Sequence, residues 1–234
     1  MRELFQKLKG QLIVSCQALE EEPLHGSNIM ARMAKAAKDG GAAAIRANGL
    51  EDIIAIKKTT NLPVIGIVKR EYPNCEIYIT PTMREVDEIV IGGVEIIAID
   101  LTNRIRPDRV TNKEFIKTIK RKYPHVYIMG DISSYEEGIT AESLGVDLIA
   151  TTLSGYTSYT KKQKGPDFEL ISKLSLTLSI PLIAEGRVNT PDDAAECIRL
   201  GAWAVVVGSA ITRPQLITKT FTDRLGQTVF CKNE

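Results

Sequence analysis

Eight short apolar runs separated by helical stretches constrain this sequence more tightly than any other feature. The runs are Gln11–Cys16, Ala42–Arg46, Pro63–Val68, Glu95–Asp100, His125–Met129, Asp147–Ala150, Pro181–Ala184 and Trp203–Val207. None alternates apolar with polar residues, and each is about 4 to 6 residues long, the pattern of parallel strands buried on both faces. Parallel neighbours need a crossover of about a dozen residues, usually a helix. The intervening segments supply it. Residues 27–39 place Ile29, Met33, Ala36 and Ala37 on one face behind a serine cap, and 111–122 place Phe115, Ile116 and Ile119 behind a threonine cap. Further helices fit 49–59, 82–91, 134–144, 167–177, 190–200 and 213–224, with a short N-terminal helix over 1–9.

A glycine closes the helix before every even-numbered strand: Gly41, Gly93, Gly145 and Gly201, separated by 52, 52 and 56 residues and each followed by Ala or Val. Glycine takes the left-handed conformation of a helix C-terminus without a Cβ clash. A unit of two strands and two helices therefore recurs about four times. No Pro/Gly/Ser-rich linker interrupts it, so the 234 residues read as one (β/α)8 barrel domain over 1–234, at about 29 residues per strand–helix unit, with 228–234 as a C-terminal tail. A doubly wound open sheet is the competing architecture. It should carry GxGxxG after its first strand, where this chain has Cys16-Gln-Ala-Leu-Glu.

Composition narrows the function. With 30 Lys and Arg against 29 Asp and Glu, the formal net charge is +1. No global field draws such a protein onto nucleic acid or an anionic membrane, so any anion is bound locally. Cys16, Cys75, Cys197 and Cys231 form no CxxC or zinc-ligand pair. Together with the lack of an export signal and of any stretch of 18 apolar residues, they point to a reduced, cytoplasmic protein. Neither His25 nor His125 ends an apolar run, so no histidine triad and no metal site is expected.

Barrel enzymes carry their chemistry at the C-terminal ends of the strands. Those ends here offer Gln17, Arg46, Lys69, Asp100, Asp131, Thr151 with Thr152, Glu185 with Arg187, and Gly208 with Ser209. Lys69, Asp131 and Glu185 follow the third, fifth and seventh strands, and side chains from alternate strands share a layer of the barrel. Beside Arg46 and Gln17 they form a candidate acid/base constellation. The glycine turns after strands seven and eight hold Gly186, Arg187, Gly208 and Ser209. These are the phosphate candidates, because glycine lets backbone N–H groups approach an anion. The stretch 151–165, with Ser154-Gly-Tyr-Thr-Ser-Tyr-Thr160 and three lysines, is the longest without a helical pattern, and fits a lid or an ordered binding loop, or else a solvated flap. Met30, Met33 and Cys197 read as core, and His25 as a turn residue.

The strand ends and turns read Leu12-Ile-Val-Ser-Cys-Gln-Ala18, Ala44-Ile-Arg-Ala-Asn48, Gly66-Ile-Val-Lys69, Ile77-Tyr-Ile-Thr-Pro-Thr82, Met129-Gly-Asp-Ile-Ser133, Thr151-Thr-Leu-Ser-Gly-Tyr-Thr157, Ala184-Glu-Gly-Arg187 and Val207-Gly-Ser-Ala-Ile-Thr-Arg-Pro214. Taken together these segments resemble the N-acetylmannosamine-6-phosphate 2-epimerase family over nearly the whole chain. The resemblance implies a (β/α)8 barrel that converts N-acetylmannosamine 6-phosphate into N-acetylglucosamine 6-phosphate during sialic acid use, with no metal or organic cofactor. It implies a lysine working with carboxylates, and its site residues fall on Gln17, Arg46, Lys69, Asp131, Glu185 and Arg213. On this reading Lys69, Glu185 and Asp131 are catalytic and Gln17, Arg46 and Arg213 bind substrate; Thr151, at a strand end, is added as a substrate contact, and a homodimer is expected because exposed helix faces of barrels often associate. Other readings are a different sugar-phosphate isomerase or decarboxylase, or a phosphate-sensing regulator of the glycerol-uptake antiterminator type. The regulator would need a basic stripe with exposed aromatics, and Lys161 to Lys164 is the one basic cluster.

Overall fold

A computed structural model describes residues 3–230. The elements run α1 (Glu3–Leu8), β1 (Leu12–Cys16), α2 (Ser27–Asp39), β2 (Ala44–Asn48), α3 (Leu50–Thr60), β3 (Val64–Ile67), α4 (Met83–Ile91), β4 (Ile96–Asp100) and α5 (Asn112–Lys122). They continue with β5 (Tyr127–Asp131), α6 (Tyr135–Ser143), β6 (Leu148–Ala150), α7 (Phe168–Thr177), β7 (Leu182–Glu185), α8 (Pro191–Arg199), β8 (Ala204–Val207), α9 (Ser209–Thr212) and α10 (Pro214–Phe230). Every strand pairs in parallel with its sequence neighbours, and β8 returns to β1, so the sheet closes into the expected (β/α)8 barrel.

Side chains alternate across a strand, and closure turns that alternation into two cores. Ile13, Ala44, Ile65, Ile67, Ile96, Ala98, Met129, Leu148, Ala150, Ile183, Ala204 and Val206 form the inner one. Their neighbours Val14, Ile45, Val64, Ile97, Ile99, Ile128 and Val205 pack outward against helix residues such as Ile53, Ile89, Phe115 and Leu174. The N-terminal helix, expected over 1–9, stops the lower end of the barrel: Phe5 and Leu8 are buried, and the Phe5 ring lies 4.8 Å from that of Tyr127. Trp203 Nε1 donates to the Phe5 carbonyl at 2.7 Å.

Strands two and five lie about two residues later than the apolar runs suggest. The leading residues of both runs belong to the preceding turn: Ala42 N–H donates to Ala37 O, and Val126 N–H to Tyr123 O. The glycine repeat is as expected, with φ of 99° at Gly41, 75° at Gly93, 87° at Gly145 and 100° at Gly201. The residues after three of them, Ala42, Val146 and Ala202, donate back to Ala37, Ala141 and Cys197, as left-handed helix ends require.

Two helix expectations are corrected. Gly26, not a serine, precedes α2 and makes no side-chain cap. The helix buries Met30, Ala31 and Ala34, one position round from the expected face, leaving Ile29 exposed. The small alanines let it lie close to β1 and α3. The helix expected over 213–224 is α10, which starts at Pro214 and runs on to Phe230, and a separate short α9, not expected, precedes it and ends at Thr212 because Pro214 cannot continue it. Of the expected tail at 228–234, residues 228–230 belong to α10 and the rest lie outside the described residues. Among the described residues no helix is long and apolar enough to cross a membrane.

Candidate active site

Counting by twos past the inner core fixes which side chains face the mouth of the barrel. Ile13 leads to Ser15 and Gln17, Ala44 to Arg46, Ile67 to Lys69, Ala98 to Asp100, Met129 to Asp131, Ala150 to Thr152, Ile183 to Glu185, and Val206 to Gly208. A cavity of about 300 Å³ opens there, and Gln17, Arg46, Lys69, Thr152, Glu185 and Arg213 are on its wall.

The same parity corrects one expectation. Thr151 has the outward phase and is buried; its Oγ1 donates to the Glu185 carbonyl at 2.9 Å and accepts from the Glu185 N–H at 3.1 Å. It binds the rims of β6 and β7 together and does not line the cavity. Thr152 does.

Arg46 is the third residue of β2 rather than the residue past its end, and only 1% of it is exposed. Its Nη1 donates to Asp131 Oδ1 at 3.1 Å and to Glu185 Oε2 at 2.7 Å, and its Nη2 to Asp131 Oδ2 at 2.5 Å. A guanidinium fork matches a carboxylate in this way, and the two Nη groups carry the pairing while the buried Nε has no hydrogen-bond partner among the described residues. Burial alone would weaken the Arg46 charge, yet Asp131 and Glu185 outweigh it and hold the proton more firmly than on a free arginine.

Asp131, expected to share the acid/base work, is fully buried behind Arg46 and is absent from the cavity wall. Both of its oxygens are engaged by Arg46, and Oδ1 also accepts from Thr152 at 2.8 Å. Its geometry is that of an anchor. Glu185 is different: Oε2 accepts from Arg46 and, at 3.1 Å, from Thr152, while Oε1 has no protein hydrogen bond among the described residues. Burial, then the Asp131 charge, push the Glu185 carboxyl up, against the pull of Arg46, Thr152 and Lys69.

Lys69 stands two residues beyond β3. Its main chain is pinned by an antiparallel bridge to Ile79 and by its N–H donating to Asn48 Oδ1 at 2.8 Å. The next residue, Arg70, is forked onto Glu85 and Glu88. Burial first, then the cationic neighbours Arg46 and Arg213, lower the Lys69 ammonium to about 8, although Glu185 and Glu22 act the other way. The chain doubling back from Ile79 also brings Tyr78 onto the cavity wall, where its hydroxyl has no protein partner among the described residues. Its backbone belongs to no strand of the barrel, so strand periodicity could not reveal it.

Gly186, Arg187, Gly208 and Ser209 all reach the cavity. Gly186 has φ 110°, which a side chain would strain. After Gly208 the first turn of α9 is closed by Ile211 and Thr212 donating to the Gly208 carbonyl, so the N–H groups of Ser209 and Ala210 have no intrahelical acceptor. Ser209 Oγ accepts from Arg213 at 3.1 Å, and Arg213 pairs with Glu22 at 2.8 Å. Arg187 already has structural work. It donates to the Gly165 and Ser154 carbonyls at 3.0 and 2.7 Å, lies 4.8 Å from the Tyr156 ring centre, and adopts φ 53° to do so. With Asn189 donating to Lys164 O, it fastens the segment between β6 and α7, which is an ordered loop over one edge of the cavity. Among the described residues no group of three or more His, Cys, Asp or Glu side chains could hold a metal ion.

Comparison with known proteins agrees with this fold. The model of the family described as "Putative N-acetylmannosamine-6-phosphate epimerase" matches residues 30–227. Relatives named as 2-epimerases of that substrate include one from Clostridioides difficile, 60% identical over 218 residues covering 93% of this chain and 97% of its own. Another, from Caldanaerobacter subterraneus, is 58% identical over 219 residues, 94% of this chain and 92% of its own. The solved N-acetylmannosamine-6-phosphate 2-epimerase from Clostridium perfringens superposes with a TM-score of 0.92 at 55% identity, covering 95% of this chain and 96% of that one. Thiamine phosphate pyrophosphorylase from Pyrococcus furiosus, at 19% identity and a TM-score of 0.61 over 90% of each chain, shares the fold.

Proposed function

The chain belongs to the N-acetylmannosamine-6-phosphate epimerase family, and on that premise we propose that it inverts C2 of N-acetylmannosamine 6-phosphate to give N-acetylglucosamine 6-phosphate, a step of sialic acid catabolism. The observation that carries the reading is Lys69, a half-buried lysine lowered to about 8, on the wall of the same cavity as a carboxyl that burial pushes up. A general base works best when its pKa lies near the operating pH.

The C2 hydrogen is acidic only next to a carbonyl, so the sugar ring opens first. Glu185, whose Oε1 is free, moves the proton between the ring oxygen and the C1 hydroxyl as the aldehyde forms. The neutral Nζ of Lys69 then takes the C2 proton, and the electron pair passes into the C1 carbonyl as an enolate. A solvent-derived proton then adds to the opposite face of C2, the proton on Lys69 passes to solvent, and closing the ring completes the inversion. Arg46 and Gln17 face the sugar oxygens, and Asp131 holds Arg46 in place. The phosphate sits on the N–H groups around Gly208 and Ser209, with Gly186, Arg187 and Arg213 beside it, so that its binding energy orients C2 over Lys69.

The reaction is tested by incubating N-acetylmannosamine 6-phosphate with the enzyme in D2O and following ring protons by NMR. The expected product is N-acetylglucosamine 6-phosphate labelled at C2; an unlabelled product would rule out deprotonation there. The same reading takes the working unit as a homodimer. The support is α10, a 17-residue helix on which Leu216, Phe221 and Leu225 are exposed.

A further inference from the structure

We propose that Thr152 is a positioning residue for Glu185: its hydroxyl, shared between Asp131 and Glu185, fixes the carboxyl with Oε1 towards the cavity and stabilises it when it is ionised. The inference rests on the assignment of Glu185 as the carboxyl that moves protons.

Two groups bridge the same pair of oxygens, Asp131 Oδ1 and Glu185 Oε2. Arg46 Nη1 does so at 3.1 and 2.7 Å, and Thr152 Oγ1 at 2.8 and 3.1 Å. Nη1 carries two hydrogens and serves both oxygens at once. The Thr152 hydroxyl carries one, and an ionised carboxylate only accepts, so the hydroxyl satisfies one neighbour at a time. Asp131 does not need it, because the Arg46 fork already reaches both of its oxygens. Rotation of one O–H bond, with no heavy atom moving, therefore follows the charge on Glu185. The hydrogen rests on the nearer Asp131 while Glu185 is neutral and turns to Oε2 when Glu185 ionises.

The hydroxyl is held for this purpose. Thr152 continues the inward phase of β6, and the preceding Thr151 is bonded to both main-chain groups of Glu185, so the two residues keep a fixed separation across the β6–β7 rim. The charged groups facing the Glu185 carboxyl are Arg46 from β2, Asp131 from β5 and Lys69 from beyond β3. Of the neighbours that stabilise its ionised form, Thr152 is the one without charge. A hydrogen bond to the charged form favours that form. Removing it leaves Oε2 with Arg46 alone and frees the carboxyl to turn.

The test uses the substrate-free protein with 13C-labelled Glu carboxyls, the Glu185 signal being identified by its loss in Glu185→Gln. In Thr152→Val the Glu185 titration midpoint is expected to rise by roughly half a pH unit or more, and in Thr152→Ser to return to the wild-type value. Thr152→Ala serves if the valine variant does not fold. In turnover, the valine or alanine variant is expected to lose about tenfold or more in kcat with KM within about twofold, and serine to restore it. An unshifted or lowered midpoint without the hydroxyl, or a serine variant that titrates like valine, overturns the proposal. The titration needs no substrate, so a failure of the epimerase reading in D2O and a failure of the Thr152 assignment remain distinct results.

Discussion

At the scale of single residues, the site sets groups against the environments that would normally neutralise them. Lys69 binds its proton less tightly folded than unfolded, being lowered to about 8 from 10.5. Between those values the unfolded chain binds more protons, so stability rises with pH across that window, and below pH 8 the full cost of holding a half-buried ammonium is present. Lys69→Met is expected to cut turnover by about a thousandfold or more while raising stability at pH 7 by on the order of 3 kcal/mol. That gain should shrink as the pH approaches 10.5, as denaturant melts at several pH values would show. For the wild type, kcat/KM should fall on the acid side with an apparent pKa near 8, because protonated Lys69 has no lone pair for C2. The sequence pointed to Lys69, Glu185, Arg46 and Gln17, since polar residues just beyond apolar runs are easy to see. It took Thr151 as the substrate contact, where the cavity wall has Thr152. That choice needs the strand phase, which an uninterrupted apolar run conceals.

At the scale of elements, the repeated glycines are the clearest case of local chemistry dictating local structure. All four have positive φ, but their surroundings differ. A Cβ on Gly93 would have one neighbour, Lys57 Cε at 3.9 Å, whereas a Cβ on Gly201 would lie 2.7 Å from the Ser175 side chain, which bonds to the Leu200 carbonyl at 2.6 Å. Gly93→Ala should therefore cost about 1–2 kcal/mol, the left-handed strain alone. Gly201→Ala should cost measurably more, and urea midpoints of the two variants give the comparison. The loop between β6 and α7 shows the reverse situation. Its Tyr156, Ser154 and Gly165 meet Arg187 from the turn after β7, so a stretch that in sequence fits a lid, an ordered binding loop or a solvated flap is fastened by a residue 22 to 33 positions away. Arg187 was legible as a cavity residue next to Gly186, but its clamp was not, because both carbonyls it holds belong to another loop.

At the scale of the whole molecule, closure of the barrel creates the site and α10 extends beyond it. If the exposed face of α10 is the contact between two copies, Phe221→Ser with Leu225→Ser should convert a dimer into a monomer in sedimentation velocity, with the barrel still folded by circular dichroism. A wild type that sediments as a monomer would remove that assignment. The sequence by itself determined the eight strand–helix units, the helix-ending glycines and the polar character of the C-terminal rim. Each follows from contacts within a few residues: apolar runs, caps and left-handed turns. Only the tertiary structure decided that Arg46, Asp131 and Glu185, from β2, β5 and β7, meet in one hydrogen-bonded cluster, with Asp131 behind and Glu185 in front. Which rungs of distant strands stand level depends on the stagger with which the barrel closes, and the shifts of Lys69 and Glu185 depend on burial and on charges from other strands. Both are properties of the closed sheet, and no local window of sequence contains them.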